Sequence, residues 1–284
     1  MVTTTGMIAD TAQRIAGDDA DVEALMPPGT DPHLFKASES DVRRLGEADL
    51  ILYNGLHLEG KMGEVLEKIA RLRPVSAVTD EISRDTLRAP ADLATQYDPH
   101  VWFDVEMWRG TVEPVTRALI ELRPDQREVY EQRAAAYQEE LIALDAWVRA
   151  EIERLPPERR ILVTAHDAFG YFGARYGVEV VGLQGISTLS EAGLKDVERV
   201  VDLVVERRVP AIFVESSVPR RSIEAVQAAV QQKGHAVEIG GALFSDSMGP
   251  AGTPEGTYPG MVRHNVHTLV KALGAAAAQE ETTE

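Results

Sequence analysis

The sequence predicts an α/β fold with parallel strands, and three observations lead to this prediction. Short apolar runs alternate with helical patterns over residues 1–78. The same alternation returns after Pro157, and a long uninterrupted helical pattern lies between the two halves. With 284 residues, the chain is long enough for two domains of ordinary size.

The first half contains four predicted strands, at residues 1–5, 22–26, 50–53 and 75–78. Ser38 followed by Asp41 resembles a capping box and marks the start of a helix between two of these strands. Parallel sheets bind ligands at the carboxyl ends of their strands. His33 follows the second predicted strand, so we expect it at this edge.

The longest periodic segment runs from Pro124 to Leu155 and predicts one rigid helix. Pro124 suits the first turn, and Pro156-Pro157 ends the pattern. About 30 residues at ~1.5 Å each make a rod of about 45 Å, which is long enough to bridge two lobes. One face carries the apolar residues Tyr130, Ala134, Tyr137, Leu141, Leu144, Val148, Ile152 and Leu155.

The second half repeats the strand and helix pattern. Strands are predicted at residues 161–165, 178–183, 211–215 and 236–239, and His166 directly follows the first of them. Residues 240–260 are rich in Gly, Pro, Ser and Thr and include Asp246. Loops of this length within compact domains are usually functional. We expect one helix over residues 105–122, before the rigid helix, and a closing helix over residues 261–273.

Composition excludes several classes of function. The chain has no cysteine, so any metal site must use nitrogen and oxygen ligands. Its 46 acidic and 29 basic residues give a net charge of −17, which argues against nucleic acid as a partner. No run approaches the ~18 apolar residues of a membrane span. The first residues lack the pattern of a signal peptide, so we expect that any leader or lipid-anchor segment has been removed.

The tripeptide Asp-Pro-His occurs twice, ending at His33 and at His100. In each copy the proline fixes φ and removes a backbone donor, which places the histidine in a stiff loop. With His166 and Asp246, four candidate ligands stand at loop or strand ends. Imidazole and carboxylate suit first-row divalent ions better than Ca²⁺ or Mg²⁺. A histidine beside a turn is more often an ordinary loop residue, and no local metal motif is present, so this pattern alone leaves the metal site open.

The sequence predicts the roles of the other histidines and of several acidic residues less specifically. We expect His57, His235, His264 and His267 to cap, pack or lie at the surface. Some acidic residues could orient the ligand histidines through the second ring nitrogen, or could instead be caps and solvated charges. These are Asp31, Glu59, Asp98, Asp167 and Glu215, and the sequence does not decide among them.

Long stretches of the chain are similar to one known family. They are VTTTGMIAD, PPGTDPHLFKASESDVRRL, ADLILYNGLHLEGKM, YDPHVWFD, TAHDAFGYFGARYGV, LQGISTLSEAGLKDV, IFVESSV and IGGALFSDSMGPAGTPEGTYPGMVRHN. Over essentially its whole length, the sequence resembles the zinc and manganese solute-binding proteins of ABC transporters, which are metal receptors with a helical backbone.

The resemblance implies a fold and a ligand set. The fold is two lobes, each with a four-stranded, mainly parallel sheet and flanking helices, joined by one long rigid helix. The expected division is a first lobe at residues 1–122, a connecting helix at 123–156 and a second lobe at 157–284. The implied metal ligands are His33, His100, His166 and Asp246.

The resemblance also implies a function. We expect a monomeric receptor in the periplasm or at the extracellular face of the membrane, which delivers its ion to the permease of an ABC importer. Segment similarity favours Mn²⁺, with Zn²⁺ a close second and Fe²⁺ as a further candidate. Two alternatives are a metal-dependent hydrolase and a surface adhesin. Four protein ligands leave no open position for catalytic water, so a non-enzymatic role is preferred.

Overall fold

The computed structural model describes residues 1–90 and 96–280 and contains two α/β lobes. The first lobe has one sheet of four parallel strands, in the order β2-β1-β3-β4. Val2 in β1 pairs with Glu23 in β2 on one side and with Ile51 in β3 on the other. The strands are β1 (Val2–Thr3), β2 (Glu23–Ala24), β3 (Ile51–Tyr53) and β4 (Val75–Ala77). The predicted α/β class and the parallel direction are confirmed.

The described residues of the first half of the chain include five α-helices. They are α1 (Gly6–Ala16), α2 (Glu39–Glu47), α3 (Gly63–Ile69), α4 (Val105–Arg109) and α5 (Val112–Leu122). The predicted capping box is present, because Ser38 Oγ accepts the Asp41 N–H while Asp41 accepts the Ser38 N–H at 2.8 Å. The four strands and α2 therefore begin close to their predicted positions.

The prediction of one helix over residues 105–122 was wrong, because the helix is interrupted at Gly110, between α4 and α5. Asp104 caps α4 by accepting the N–H groups of Glu106 and Met107. The Thr111 hydroxyl donates to the Trp108 carbonyl at 2.7 Å, which satisfies a group at the end of α4. Glycine also favours helix ends over helix interiors. Two short helices replace the predicted single one.

The long helix is α6 (Arg127–Glu153), preceded by a single 3₁₀ turn at Pro124–Gln126. Its 27 residues span about 40 Å. Every apolar residue of the predicted face is buried, from Tyr130 to Leu155. The helix packs against α1, α4 and α5 of the first lobe. It also packs against α7 (Gly170–Tyr176) and α10 (Tyr258–Glu280) of the second half, so both lobes share it.

The second lobe has the four predicted strands, hydrogen-bonded as two parallel pairs. They are β5 (Ile161–His166), β6 (Glu179–Gln184), β7 (Ala211–Glu215) and β8 (Glu238–Leu243). The pairs are β5 with β6 and β7 with β8, and β5 lies beside β7. Two further helices cover this lobe, α8 (Leu194–Glu206) and α9 (Arg221–Gln232).

The predicted end of the last strand was wrong, because β8 continues to Leu243 through two glycines. A Cβ atom at Gly240 would lie 2.6 Å from Ala272 in α10, so the glycine allows this close approach of strand and helix. The closing helix α10 also begins three residues before the predicted Met261 and extends to Glu280. Within residues 1–90 and 96–280, no helix is both long and apolar enough to cross a membrane.

Candidate metal centre

Four side chains meet in the cleft between the lobes: His33, His100, His166 and Asp246. His33 and His100 come from loops of the first lobe, His166 ends β5, and Asp246 follows β8. One ligand atom from each residue lies within 4.8 Å of the others. All four residues are buried. The structure therefore brings together every residue of the predicted ligand set.

The distances within this cluster suit a single ion. His33 Nε2 is 3.3 Å from His100 Nε2, and His166 Nε2 is 3.2 Å from Asp246 Oδ2. His100 Nε2 is 3.4 Å from Asp246 Oδ1, and His33 Nε2 is 3.9 Å from Asp246 Oδ2. Ligand atoms around a tetrahedral ion at ~2.0–2.1 Å lie about 3.3 Å from one another. The spacing of the four side chains is close to that value.

The second Asp-Pro-His copy orients its own histidine. Asp98 Oδ1 accepts the His100 backbone N–H at 3.0 Å and faces His100 Nδ1 at 2.7 Å. A carboxylate at this position favours the tautomer that carries its proton on Nδ1. The lone pair of Nε2 is then directed into the cluster. Asp98 is therefore an orienting residue, which was one of the two possibilities left open by the sequence.

His166 is oriented by a residue from the neighbouring strand. Glu215 ends β7, and its Oε2 atom is 2.5 Å from His166 Nδ1. Its other oxygen accepts the His166 backbone N–H at 2.8 Å. Both interactions are buried, and they fix the ring and the end of β5 together. Because β5 and β7 lie side by side, the sheet brings this carboxylate to the histidine.

The first Asp-Pro-His copy uses its carboxylate differently. Asp31 Oδ1 accepts the His33 backbone N–H at 2.9 Å, so the turn is the same as at Asp98. Asp31 Oδ2 accepts a hydrogen bond from Thr188 Oγ1 of the second lobe at 2.6 Å instead of facing its own histidine ring. No sequence pattern points to Thr188 beyond its place in LQGISTLSEAGLKDV, one of the stretches that resemble the family.

Glu59 supports the first lobe without contacting a ligand ring. Its carboxylate accepts hydrogen bonds from Thr4 Oγ1 at 2.6 Å and from the Asn54 N–H at 2.7 Å. Burial raises the pKa of Glu59. The Asn54 side chain in turn donates to the Pro99 carbonyl at 3.1 Å, next to His100. Glu59 thus holds the loop that supports the second Asp-Pro-His copy.

The remaining candidates lie elsewhere. His57 is exposed, and His235 Nε2 is 3.0 Å from the Val209 carbonyl. His264 Nε2 is 3.1 Å from the Ala242 carbonyl, whereas His267 packs edge-on against Trp147. Asp167 makes no hydrogen bond to a histidine ring within the described residues, and burial raises its pKa. The expectation that these four histidines pack or lie at the surface is confirmed.

The four side chains shift one another's pKa values. Burial opposes ionisation of Asp246, but His166 and His100 together hold the pKa of this carboxyl well below its usual range. Burial also opposes charge on His100, but its contacts with Asp246 and Asp98 raise its pKa to about 9. Glu215 and Asp246 similarly raise the pKa of His166. Burial lowers the pKa of His33 to about 3 despite the attraction of Asp246.

Three buried atoms of the cluster have no hydrogen-bond partner among residues 1–90 and 96–280. They are His166 Nε2, Asp246 Oδ1 and Asp246 Oδ2. Leaving buried polar atoms unpaired costs free energy, so such atoms usually mark a bound ion or water. These atoms all face the same point between the lobes. The donor set fits a divalent transition metal.

The two lobes, the shared helix and the buried histidine-aspartate cluster define a class of protein, the two-lobed solute receptors with a helical backbone. A family model described as "Zinc-uptake complex component A periplasmic" matches residues 1–272. The chain belongs to this family, whose members are solute-binding proteins of metal ABC transporters and not enzymes. The resemblance seen in the sequence is confirmed, and the metallohydrolase alternative is excluded.

Similar proteins cover almost the whole chain. The zinc-binding protein TroA of Treponema pallidum is 54% identical over 273 residues, which are 96% of this chain and 88% of that protein. The manganese-binding lipoprotein MntA of Bacillus subtilis is 49% identical over 270 residues, with coverage of 95% and 88%. The solved structure of TroA matches with a TM-score of 0.94 at 53% identity and covers 96% of this chain and 98% of that one.

Proposed function

We propose that this protein captures one divalent transition metal ion in the cleft between its lobes and delivers it to an ABC importer. The ligands in this proposal are His33, His100, His166 and Asp246. We further propose that Mn²⁺ is the preferred ion, with Zn²⁺ as the close competitor. The observation that carries the proposal is the buried cluster of one carboxylate and three imidazoles, with three of its polar atoms unpaired within the described residues.

The position of Asp246 supports the choice of manganese. Its Oδ1 atom faces His100 Nε2 at 3.4 Å, whereas its Oδ2 atom faces His166 Nε2 at 3.2 Å. Both oxygens are therefore directed into the cluster and can bind one ion together. Three nitrogens and two oxygens provide five donors, which suits Mn²⁺ better than the four of tetrahedral Zn²⁺. Among similar proteins, MntA is named for manganese and TroA for zinc.

The proposal includes a location and a partner. Similar proteins are named as periplasmic or as lipoproteins, so we infer that this chain acts outside the cytoplasmic membrane. The partner is the membrane permease of the importer, which receives the ion from a single chain of this receptor. The three-part division at residues 122–123 and 156–157 remains part of the proposal. The boundaries are consistent with the end of α5 at Leu122 and the start of β5 at Ile161.

Metal identity can be tested directly. Elemental analysis of protein purified without added metal should find about one transition metal ion per chain. Competitive titration of Mn²⁺ and Zn²⁺ against a chromophoric chelator then ranks the two ions at the same cluster. About one zinc ion per chain, with no measurable Mn²⁺ binding, would overturn the manganese preference. No binding of either ion would overturn the whole proposal.

Thermal unfolding gives an independent check. An ion that binds the folded protein alone stabilises it by about 2.7 kcal/mol at a hundredfold excess over the dissociation constant. We expect the melting temperature to rise with Mn²⁺ and Zn²⁺ and to fall again with excess chelator. Mg²⁺ at the same concentration is the control, because it binds poorly to imidazole. An unchanged melting temperature with both transition metals would contradict metal capture by the folded state.

A further inference from the structure

Two hydrogen bonds cross the cleft at the loop that carries His33, residues 27–34, which we call the His33 loop. Thr188 Oγ1 of the second lobe donates to Asp31 Oδ2 at 2.6 Å. The Gly29 N–H donates to Ser247 Oγ at 2.6 Å, and Ser247 directly follows Asp246. The His33 loop is therefore bonded to two separate segments of the opposite lobe.

The His33 loop also lies on the solvent side of the cluster. The side chain of His33 is 4% exposed, whereas those of His100, His166 and Asp246 are 0% exposed. Leu34, the next residue, is 42% exposed. Thr188 is buried, although Leu189 beside it is 57% exposed. His33 is therefore the most exposed of the four ligands, and exposed side chains flank it on the His33 loop and on the segment that carries Thr188.

Buried aromatic side chains close the cluster around His100 and Asp246. Trp102 Nε1 donates to the Ser245 carbonyl at 3.0 Å, next to Asp246. The hydroxyl of Tyr171 donates to the Asp98 carbonyl at 2.9 Å, and that of Tyr258 donates to the Trp102 carbonyl at 2.7 Å. All three aromatic residues are buried. An ion that left on this side would have to displace part of the core, which is packed without room for such movement.

We propose that the bound ion enters and leaves past His33, and that the Thr188–Asp31 hydrogen bond controls how fast it leaves. This inference rests on the proposed metal-binding function. Asp31 acts at two places, because one oxygen holds the turn at the His33 N–H and the other holds the second lobe. Breaking the bond to Thr188 leaves the Gly29–Ser247 bond in place but removes the attachment nearest His33, so His33 can move away from the ion while His100, His166 and Asp246 stay in place. Thr188 is thus a positioning residue that acts through Asp31.

The test measures dissociation of Co²⁺, whose visible absorption reports its coordination, from the full chain into excess EDTA. Thr188→Val removes the hydroxyl and keeps the shape of the side chain. Hydrogen bonds to charged groups are strong enough that we expect dissociation about tenfold faster than in the unmodified protein. Thr188→Ser retains the hydroxyl and should restore the original rate. The absorption band at saturation should be the same in all variants, because the four ligands are unchanged.

Thr116→Val is the matched control. Thr116 is buried in α5, and its hydroxyl donates to the Val112 carbonyl at 2.6 Å, away from the cluster. The same chemical change there should leave the rate unchanged. An unchanged rate in Thr188→Val, an equal acceleration in Thr116→Val, or an altered absorption band in Thr188→Val would each overturn the inference. If the unmodified protein does not bind Co²⁺ or the native ions, the proposed function fails instead.

Discussion

The two Asp-Pro-His loops have the same sequence and the same turn, yet their carboxylates make different second contacts. In both loops the aspartate accepts the backbone N–H of the histidine two residues later. Asp98 then faces the ring of His100 within its own lobe, whereas Asp31 bonds to Thr188 across the cleft. One loop fixes the direction of a ligand, and the other joins the two lobes. A short motif therefore determines the local turn, while the surrounding fold determines which further contact the aspartate carboxylate makes.

Removal of a ligand from either loop gives the largest expected effect. Structural zinc sites contribute roughly 10–16 kcal/mol through four ligands, so loss of one ligand should weaken binding by about 100-fold or more. We expect His100→Ala to lose more affinity than His33→Ala, because it leaves Asp98 and Asp246 buried without their imidazole partner. Competitive titration with Zn²⁺ measures both variants, and His235→Ala serves as the control outside the cluster. Unchanged affinity in His100→Ala would contradict the ligand set.

The orienting carboxylate of the second loop should have the next largest effect. Replacement of a group that orients a ligand histidine typically costs 10–100-fold in metal affinity. We expect a loss in this range for Asp98→Asn and a smaller loss for Asp31→Asn, since Asp31 does not face a ring. Isothermal titration with the same ion measures both. Equal losses in the two variants would remove the distinction between the loops.

The pH dependence of binding should come from His100 of the second loop and from His166, and not from His33 of the first loop. Contacts with Asp246 and Asp98 raise the pKa of His100 to about 9, and Glu215 and Asp246 raise that of His166, so each ring holds a proton more firmly in the metal-free protein than an ordinary histidine does. The ion must displace these protons, so affinity should rise about tenfold per pH unit for each proton released, up to about pH 9. His33, with its pKa lowered to about 3, is already neutral and adds nothing to this slope.

This pH dependence is measured by competitive titration from about pH 6 to 8, a range that includes neutral pH and in which histidines commonly titrate. Asp98→Asn should flatten the slope, because Asp98 is one of the two groups that raise the pKa of His100. An affinity that stays constant over this range would contradict ligation by histidines that lose a proton when the ion binds. Histidines with the ordinary pKa of about 6.5 would lose affinity only near that pH, and the buried carboxylates extend the loss to higher pH.

The smallest expected effect is a change of overall shape. The rigid α6 joins the lobes, so we expect metal release through local movement of the His33 loop and not through wide opening. Small-angle scattering with and without Mn²⁺ should give radii of gyration that agree within the scatter between repeats. A clear compaction on addition of metal would show that the lobes move as whole bodies. It would contradict the expectation that the His33 loop moves while the second Asp-Pro-His loop stays in place.

The sequence predicted those features that depend on neighbouring residues. The buried face of α6, the capping box at Ser38 and the two Asp-Pro-His turns all follow from local spacing. Gly110 and Gly240 were harder to interpret, because a glycine can end an element or allow a close approach within it. Gly240 lies within β8 and allows the close approach of Ala272 in α10.

The orienting and cross-cleft contacts could not be predicted for a similar reason. Glu215 lies 49 residues from His166, and Thr188 lies 157 residues from Asp31. The Glu215–His166 contact depends on strand order, and the Thr188–Asp31 contact depends on how the two lobes close. Sequence spacing predicts neither contact. Five acids were therefore equivalent as orienting candidates until the fold selected Asp98 and Glu215.

The shared helix also determines how the molecule unfolds. One continuous apolar core surrounds α6 and includes residues from Met7 in the first lobe to Leu273 near the end of the chain. Neither lobe can bury its part of this core without the other, because helices of both lobes pack against the same helix. The lobes therefore form one cooperative unit and should melt in a single transition. An ion held between them stabilises the entire chain, and a fragment that ends before α10 would lose the side of α6 that this helix covers.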